Sequence, residues 1–358
     1  RALAGLPFVT KIQPVARWRR DEPLDVRPDE PARSGVVTRS SIDYGASAGQ
    51  LDQINLIRMH DDGYTGTGVV IGVLDTGFRQ THTAFQDPVH PLTVLAQWDF
   101  INNDPDAGPE VGDPSAQHFH GTLILGTLAS YLPGSLVGGA FDASYILCKT
   151  EDTTAEYPAE EDNFVAGLQF AEANGADMTT SSLGYVDWYT QADLDGITAV
   201  TTIAMNTMND NGVHACTAAG NDDHDADPAT SSLIAPADAF RVITCGAVTS
   251  SGTIASFSSD GPTADGRVKP EVLALGIDTS TIYPYDDTSL TTANGTSLST
   301  PLVAGALASL IQAHPEWTVD EMRAAIIASA SESVATGTFD PLYVRGYGVV
   351  NAWGAIQD

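Results

Sequence analysis

Lysine is almost missing from this chain: 358 residues carry three, Lys11, Lys149 and Lys269. Positive charge is scarce altogether, 16 lysines and arginines against 46 aspartates and glutamates, a formal net charge of −30. Such a field repels nucleic acid and anionic membrane surfaces and sets both aside as partners. Long apolar runs are lacking too. None reaches the roughly 18 residues of a membrane span, and the longest, residues 302–313, is broken by glycine and reads as a buried core helix. Residues 1–40 hold no apolar stretch of the signal-peptide kind, which decides nothing about export because a secreted chain has already lost it. Cysteine is limited to Cys148, Cys216 and Cys245, each in a strand-like apolar run that suits a buried thiol. Cys216 and Cys245 become able to pair only if their strands are neighbours.

What is present is unevenly spread. Residues 1–40 hold eight of the 16 positives and five of the acids, a balance of +3, which leaves −33 on residues 41–358. The charge break marks a boundary: a basic, proline-rich N-terminal segment, 1–40, followed by one large domain, 41–358. Inside the segment, "LPFVTKIQPV" reads as one strand. An Asp-rich, Lys-poor surface suits salty solution, where self-repulsion is screened.

Along the large domain, β-branched runs such as "GVVIGVLDTG", "SYILCKT" and "RVITCGAV" alternate with helix patterns. That pattern predicts a doubly wound α/β fold, a mostly parallel sheet with helices on both faces. Thr318-Val-Asp-Glu321 reads as a capping box opening one of those helices. Chemistry in such sheets gathers where strands end and turns lead into helices. Three turns qualify: Asp75-Thr76-Gly77, His120-Gly121-Thr122 and Gly295-Thr296-Ser297.

Taken singly, Asp75 is a turn aspartate, His120 a structural histidine, Ser297 an N-cap and Asn221 a turn residue. His118 and His120 together suggest half a metal pair, but no second pair of ligands stands at site spacing. Jointly, a carboxylate, an imidazole and a hydroxyl at element boundaries are the parts of a nucleophilic triad. A serine hydroxyl is a poor nucleophile near neutral pH and needs a base, and the imidazole needs an acid to fix its tautomer. The order Asp75, His120, Ser297 is one of the known chain orders for that arrangement. A serine at a helix mouth also gains orphan backbone N–H groups that favour an oxyanion. Pro301 is expected near the first turn, where few intrahelical donors are needed.

The blocks "VVIGVLDTG", "HGTLILG" and "GTSLSTPLVAG" resemble the aspartate, histidine and serine motifs of the subtilisin-like serine proteases, the subtilases. So do "SSLG" at 181–184, "AAGND" at 218–222 and "SFSSDGPTADGRVKPEVLALG" at 256–276, in family order over roughly residues 44–354. The resemblance implies a subtilisin-like fold and a secreted serine endopeptidase acting on peptides and proteins. It implies Asp75 as orienting acid, His120 as general base and acid, Ser297 as nucleophile, and Asn221 as oxyanion donor. Loss of one such donor typically costs about 3 kcal/mol of transition-state stabilisation. It further implies Ser182, Leu183, Gly184 and Ala218, Ala219, Gly220 as the segments that wall the primary pocket and pair with substrate backbone.

The chain departs from the family pattern in several places. Leu123 stands where "HGTHVAG" has a second histidine, a position outside the triad. The 45-residue interval from Asp75 to His120 is expected to form a surface excursion on the substrate side. No organic or redox cofactor is required, and the family's calcium site is not readable, although the acidic loop "NDDHDADP" offers ligands for a hard cation. The acidic run "EDTTAEYPAEED" at 151–162, with Asp222, Asp223, Asp225 and Asp227, either biases the cleft toward basic peptides or is simply a solvated surface. The basic segment 1–40 is either the remainder of an inhibitory propeptide, cleaved within residues 31–43, or a permanent arm. Two rivals stand beside the protease reading. A non-catalytic binding protein of this fold normally lacks a triad member, and the acid-acting relatives use glutamate for histidine and aspartate for the oxyanion asparagine. A histidine base predicts activity rising through about pH 6–7.5.

Overall fold

The computed structural model describes residues 41–154, 157–225 and 227–357. The basic segment 1–40, with its expected strand and its propeptide-or-arm reading, lies outside the described residues. The strands are β1 (Val70–Asp75), β2 (Thr93–Asp99), β3 (Tyr131–Leu132), β4 (Leu136–Val137), β5 (Ser144–Lys149) and β6 (Met178–Ser181). There follow β7 (His214–Ala218), β8 (Ile243–Val248), β9 (Val272–Leu275), β10 (Thr279–Ile282) and β11 (Leu290–Ala293). The helices begin with α1 (Ala48–Gln53), α2 (Leu56–Asp61), α3 (Phe119–Ala129), α4 (Ala159–Ala173) and α5 (Val200–Asp210). They end with α6 (Thr296–Ala313), α7 (Val319–Ser329), α8 (Ser331–Thr336) and α9 (Ala352–Ala355).

Seven strands form one sheet in the order β2-β5-β1-β6-β7-β8-β9, and every neighbouring pair is parallel. The β-branched runs are buried on both faces because side chains alternate. Ile71 and Val73 of β1 join the core that holds α3 and α6, while Leu74 joins the opposite core with α4 and α5. Glycine serves this layering where helix and strand approach closely. A Cβ on Gly72 would stand 2.8 Å from the Ala171 Cβ of α4. Strand order reverses between β1 and β6, the position where open α/β sheets bind their ligands, beyond the strand C-termini.

Helices α3 and α6 are buried almost all round, which makes them interior pillars rather than amphipathic covers. By length and composition α6 would cross a membrane, but 89% of it is buried inside the protein. The expected capping box opens α7: Glu321 N donates to Thr318 Oγ1 at 3.3 Å, and Thr318 N donates to Glu321 Oε2 at 2.9 Å.

Three expectations are corrected. The interval between Asp75 and His120 is not only a surface excursion, since it contains β2, an edge strand of the main sheet. Pro301 is the sixth residue of α6, in the second turn, beyond the positions whose donors are orphaned anyway. Much of the acidic run at 151–162 is not surface at all, because Glu151, Glu160 and Glu161 are buried. Glu151 accepts from Tyr185 Oη, and Glu161 accepts from Trp188 Nε1 at 2.8 Å and Tyr189 Oη at 3.0 Å. Cys216 and Cys245 do lie on neighbouring strands but out of register, Cys216 opposite Ile243 and Cys245 opposite Ala218. All three cysteines are buried free thiols.

Candidate active site

Asp75 ends β1 with its side chain wholly buried, and its Oδ1 accepts from Thr76 N at 2.7 Å. The same oxygen meets His120 Nδ1 at 2.8 Å. His120 sits in the first turn of α3, and that turn reaches Asp75 only because residue 121 is glycine. A Cβ there would collide with the Gly77 carbonyl oxygen and press on the Asp75 Cβ. Gly121 N donates to Thr76 Oγ1 at 3.1 Å, closing the contact between strand end and helix start. The imidazole keeps 18% of its side-chain surface open, so one edge faces solvent while the carboxylate behind it is dry.

Gln117 holds this corner from the other side. It is buried, and its Nε2 donates to Thr76 O at 2.8 Å and to Glu151 O at 2.5 Å. Its Oε1 accepts from Thr153 N at 3.2 Å. Sequence reasoning missed Gln117 because nothing in its spacing marks a residue whose partners come from two distant strands. Next to it, burial pushes the His118 pKa below the ordinary histidine value, against a bond to Pro284 O at 3.2 Å.

Ser297 is the second residue of α6, whose N-cap Gly295 has φ 141°, a conformation that favours glycine. Its hydroxyl donates to Ser182 O at 3.2 Å, while Ser182 Oγ donates to Ser297 O at 2.8 Å. Asp75 and His120 are thus directly bonded. Ser297 is bonded instead to Ser182, immediately past the end of β6, whose carbonyl holds its proton. Asn221 lies beyond β7, and its Oδ1 accepts from Thr296 N at 2.9 Å and Thr296 Oγ1 at 3.1 Å. With the oxygen so anchored, Nδ2 is turned toward Gly295, 3.8 Å from where a Cβ would stand.

Ser182, Leu183, Ala218 and Ala219 are buried, and Gly184 and Gly220 flank one partly exposed side chain, Ile234. A Cβ on Gly184 would collide with Ile234 Cδ1, and one on Gly220 would stand 3.2 Å from Ile234 Cγ2. Backbone bonds fix Ile234 there: Ile234 N donates to Ala219 O at 3.2 Å, and Tyr185 N to Ala235 O at 2.8 Å. Sequence reasoning missed it too, since an isoleucine in "SSLIAP" carries no motif.

Oxygen ligands for a cation converge at Asp99, Asp104 and Glu110, whose nearest atoms lie within 4.8 Å of one another. That place already holds a cation of the chain's own. Lys149 Nζ is 2.6 Å from Asp99 Oδ2, 2.8 Å from Asp113 Oδ2 and 3.8 Å from Glu110 Oε2. Burial alone would lower the Lys149 pKa, but the hydrogen bonds to Asp113 and Asp99 carry it above its ordinary value. These residues do not fit a calcium site. In "NDDHDADP", Asp225 spends its carboxylate on Thr230 Oγ1 and Asp227 N within the loop.

The chain is similar to known proteins over most of its length. A family model described as the subtilase family matches residues 66–349. Subtilisin E of Bacillus subtilis (strain 168) is 32% identical over 319 residues, covering 88% of this chain and 72% of its own. A subtilisin of Bacillus pumilus is 31% identical over 319 residues, covering 88% of this chain and 99% of its own. Among solved structures, one described as proteases from Pseudoalteromonas arctica PAMC 21717 superimposes with a TM-score of 0.67. It is 23% identical and covers 89% of this chain and 99% of that one, which speaks to the fold.

Proposed function

The chain belongs to the subtilase family of serine endopeptidases, and from that premise we propose that Ser297 is its nucleophile, with His120 as base, Asp75 as orienting acid and Asn221 in the oxyanion hole. The observation that carries the reading is the 2.8 Å contact between His120 Nδ1 and a fully buried Asp75. A carboxylate so placed accepts the Nδ1 proton and leaves Nε2 with a free lone pair. Rotation of Ser297 about χ1 takes its hydroxyl from the Ser182 carbonyl to that lone pair. As Oγ attacks the peptide carbonyl, the proton passes to Nε2. The new oxyanion is met by Asn221 Nδ2 and the Ser297 N–H at the mouth of α6. His120 then gives its proton to the leaving amine, and water repeats the sequence on the acyl-enzyme.

Substrate backbone pairs with residues 182–184 and 218–220, and the side chain before the cut enters between them above Ile234. The reaction uses no redox or organic group. We place the enzyme outside the cell, in keeping with its acidic, lysine-poor composition and its relatives. The segment 1–40 is read as an intramolecular inhibitor or arm held by its opposite charge. Labelling with a serine-reactive phosphonate, followed by peptide mapping, tests the core of this. The adduct is expected on Ser297 and is absent from Ser297→Ala. An adduct elsewhere, or full turnover by Ser297→Ala, overturns the assignment.

A further inference from the structure

A proline inside a helix removes the N–H that would bond the carbonyl four residues earlier. In α6 the proline is Pro301, and the carbonyl it abandons belongs to Ser297. That carbonyl is not left bare: Ser182 Oγ donates to it at 2.8 Å. The preceding carbonyl, of Thr296, is served differently, by the hydroxyls of Ser299 and Thr300 from within the helix, each at 2.8 Å. Of these two carbonyls, the one orphaned by the proline takes its donor from another element. Ser182 and Ser297 are both 6% exposed, so water is a poor substitute.

We infer that Ser182 and Pro301 are a matched pair: the Ser182 hydroxyl replaces the helix donor that Pro301 lacks, and so fixes the first turn of α6 and the direction of the Ser297 side chain. The inference rests on Ser297 being the nucleophile. Ser182 then acts as a positioning residue, holding Ser297 with both of its polar groups. Its hydroxyl serves the Ser297 carbonyl throughout, and its carbonyl parks the Ser297 hydroxyl at 3.2 Å until His120 takes the proton. Tying the helix to the end of β6, rather than to its own next turn, links the nucleophile to a strand that lines the substrate. An ordinary helical bond would hold α6 straight but leave its mouth free to shift against β6.

A double-mutant cycle tests the pairing, with Ser182→Ala, Pro301→Ala and the double variant. Ser182→Ala is expected to lower kcat about 10- to 100-fold, as loss of a buried donor implies, with KM changed by less than about threefold. Pro301→Ala restores the helix donor and stays within about threefold of the parent. The double variant is expected to recover to the level of Pro301→Ala, because the restored backbone N–H keeps a donor on the Ser297 carbonyl. A double variant as slow as Ser182→Ala overturns the pairing, as does an effect of Ser182→Ala confined to KM. Phosphonate titration of each variant counts correctly folded sites and separates this result from the parent reading. An adduct on Ser297 together with strictly additive variants defeats only the pairing, whereas no adduct on Ser297 in the unmodified enzyme defeats the nucleophile itself.

Discussion

Ile234 packs against both Gly184 and Gly220, beside Ser259 at the latter. Its branched body occupies depth that a large substrate residue would need. Replacing it with glycine is expected to raise kcat/KM for substrates with phenylalanine before the cut about tenfold or more relative to alanine, since each methylene of pocket is worth roughly 1–3 kcal/mol. Paired peptide substrates measure the ratio, and an unchanged ratio excludes Ile234 from the pocket. Asp75, His120, Ser297 and Asn221 were legible in the sequence because each lies beside a glycine or small residue that the packing demands, as Gly121 does against the Gly77 carbonyl. Ile234, Gln117 and the hydroxyl of Ser182 were not legible in these roles. Their bonding partners lie 15 to 115 positions away, which no local pattern records.

Elements tell a related story. The strand-and-helix alternation predicts the parallel sheet correctly, because burial on both faces requires continuous apolar runs. β2 escaped that reading. It is a partly exposed edge strand whose burial is patchy, so "TVLAQWD" lacks the signature of its neighbours. What fastens β2 and the loop after it is Lys149 at the end of β5, bonded to Asp99 and Asp113. Lys149→Met leaves Asp99, fully buried, without its counter-charge, and breaking such a pair costs about 3–5 kcal/mol. Thermal unfolding in a Ser297→Ala background, where self-digestion is removed, should show a clearly lower midpoint. An unchanged midpoint means the loop is held by other contacts.

At the scale of the whole molecule, acid is opposed by two histidines remote from the site. Burial lowers His60 and His214 to about 4 from the ordinary 6.5. The unfolded chain therefore binds these two protons at a pH where the folded chain refuses them. Stability is full above about pH 6.5 and falls as pH drops toward about 4, by up to about 3 kcal/mol for each histidine. His60→Gln should flatten the dependence of the melting midpoint on pH over that interval, and an unaltered slope rules out its contribution. The charge imbalance read from composition also acquires a spatial meaning. Lys149 and Lys269 are both buried, so every exposed positive side chain among the described residues is an arginine. Among the described residues the folded body therefore offers no lysine amine to solvent. Ester-activated dyes, polymer grafts and aldehyde-bearing supports find no lysine side chain there to grasp, so tethering through this body goes by its carboxylates and amine chemistry is left to Lys11 of the segment 1–40.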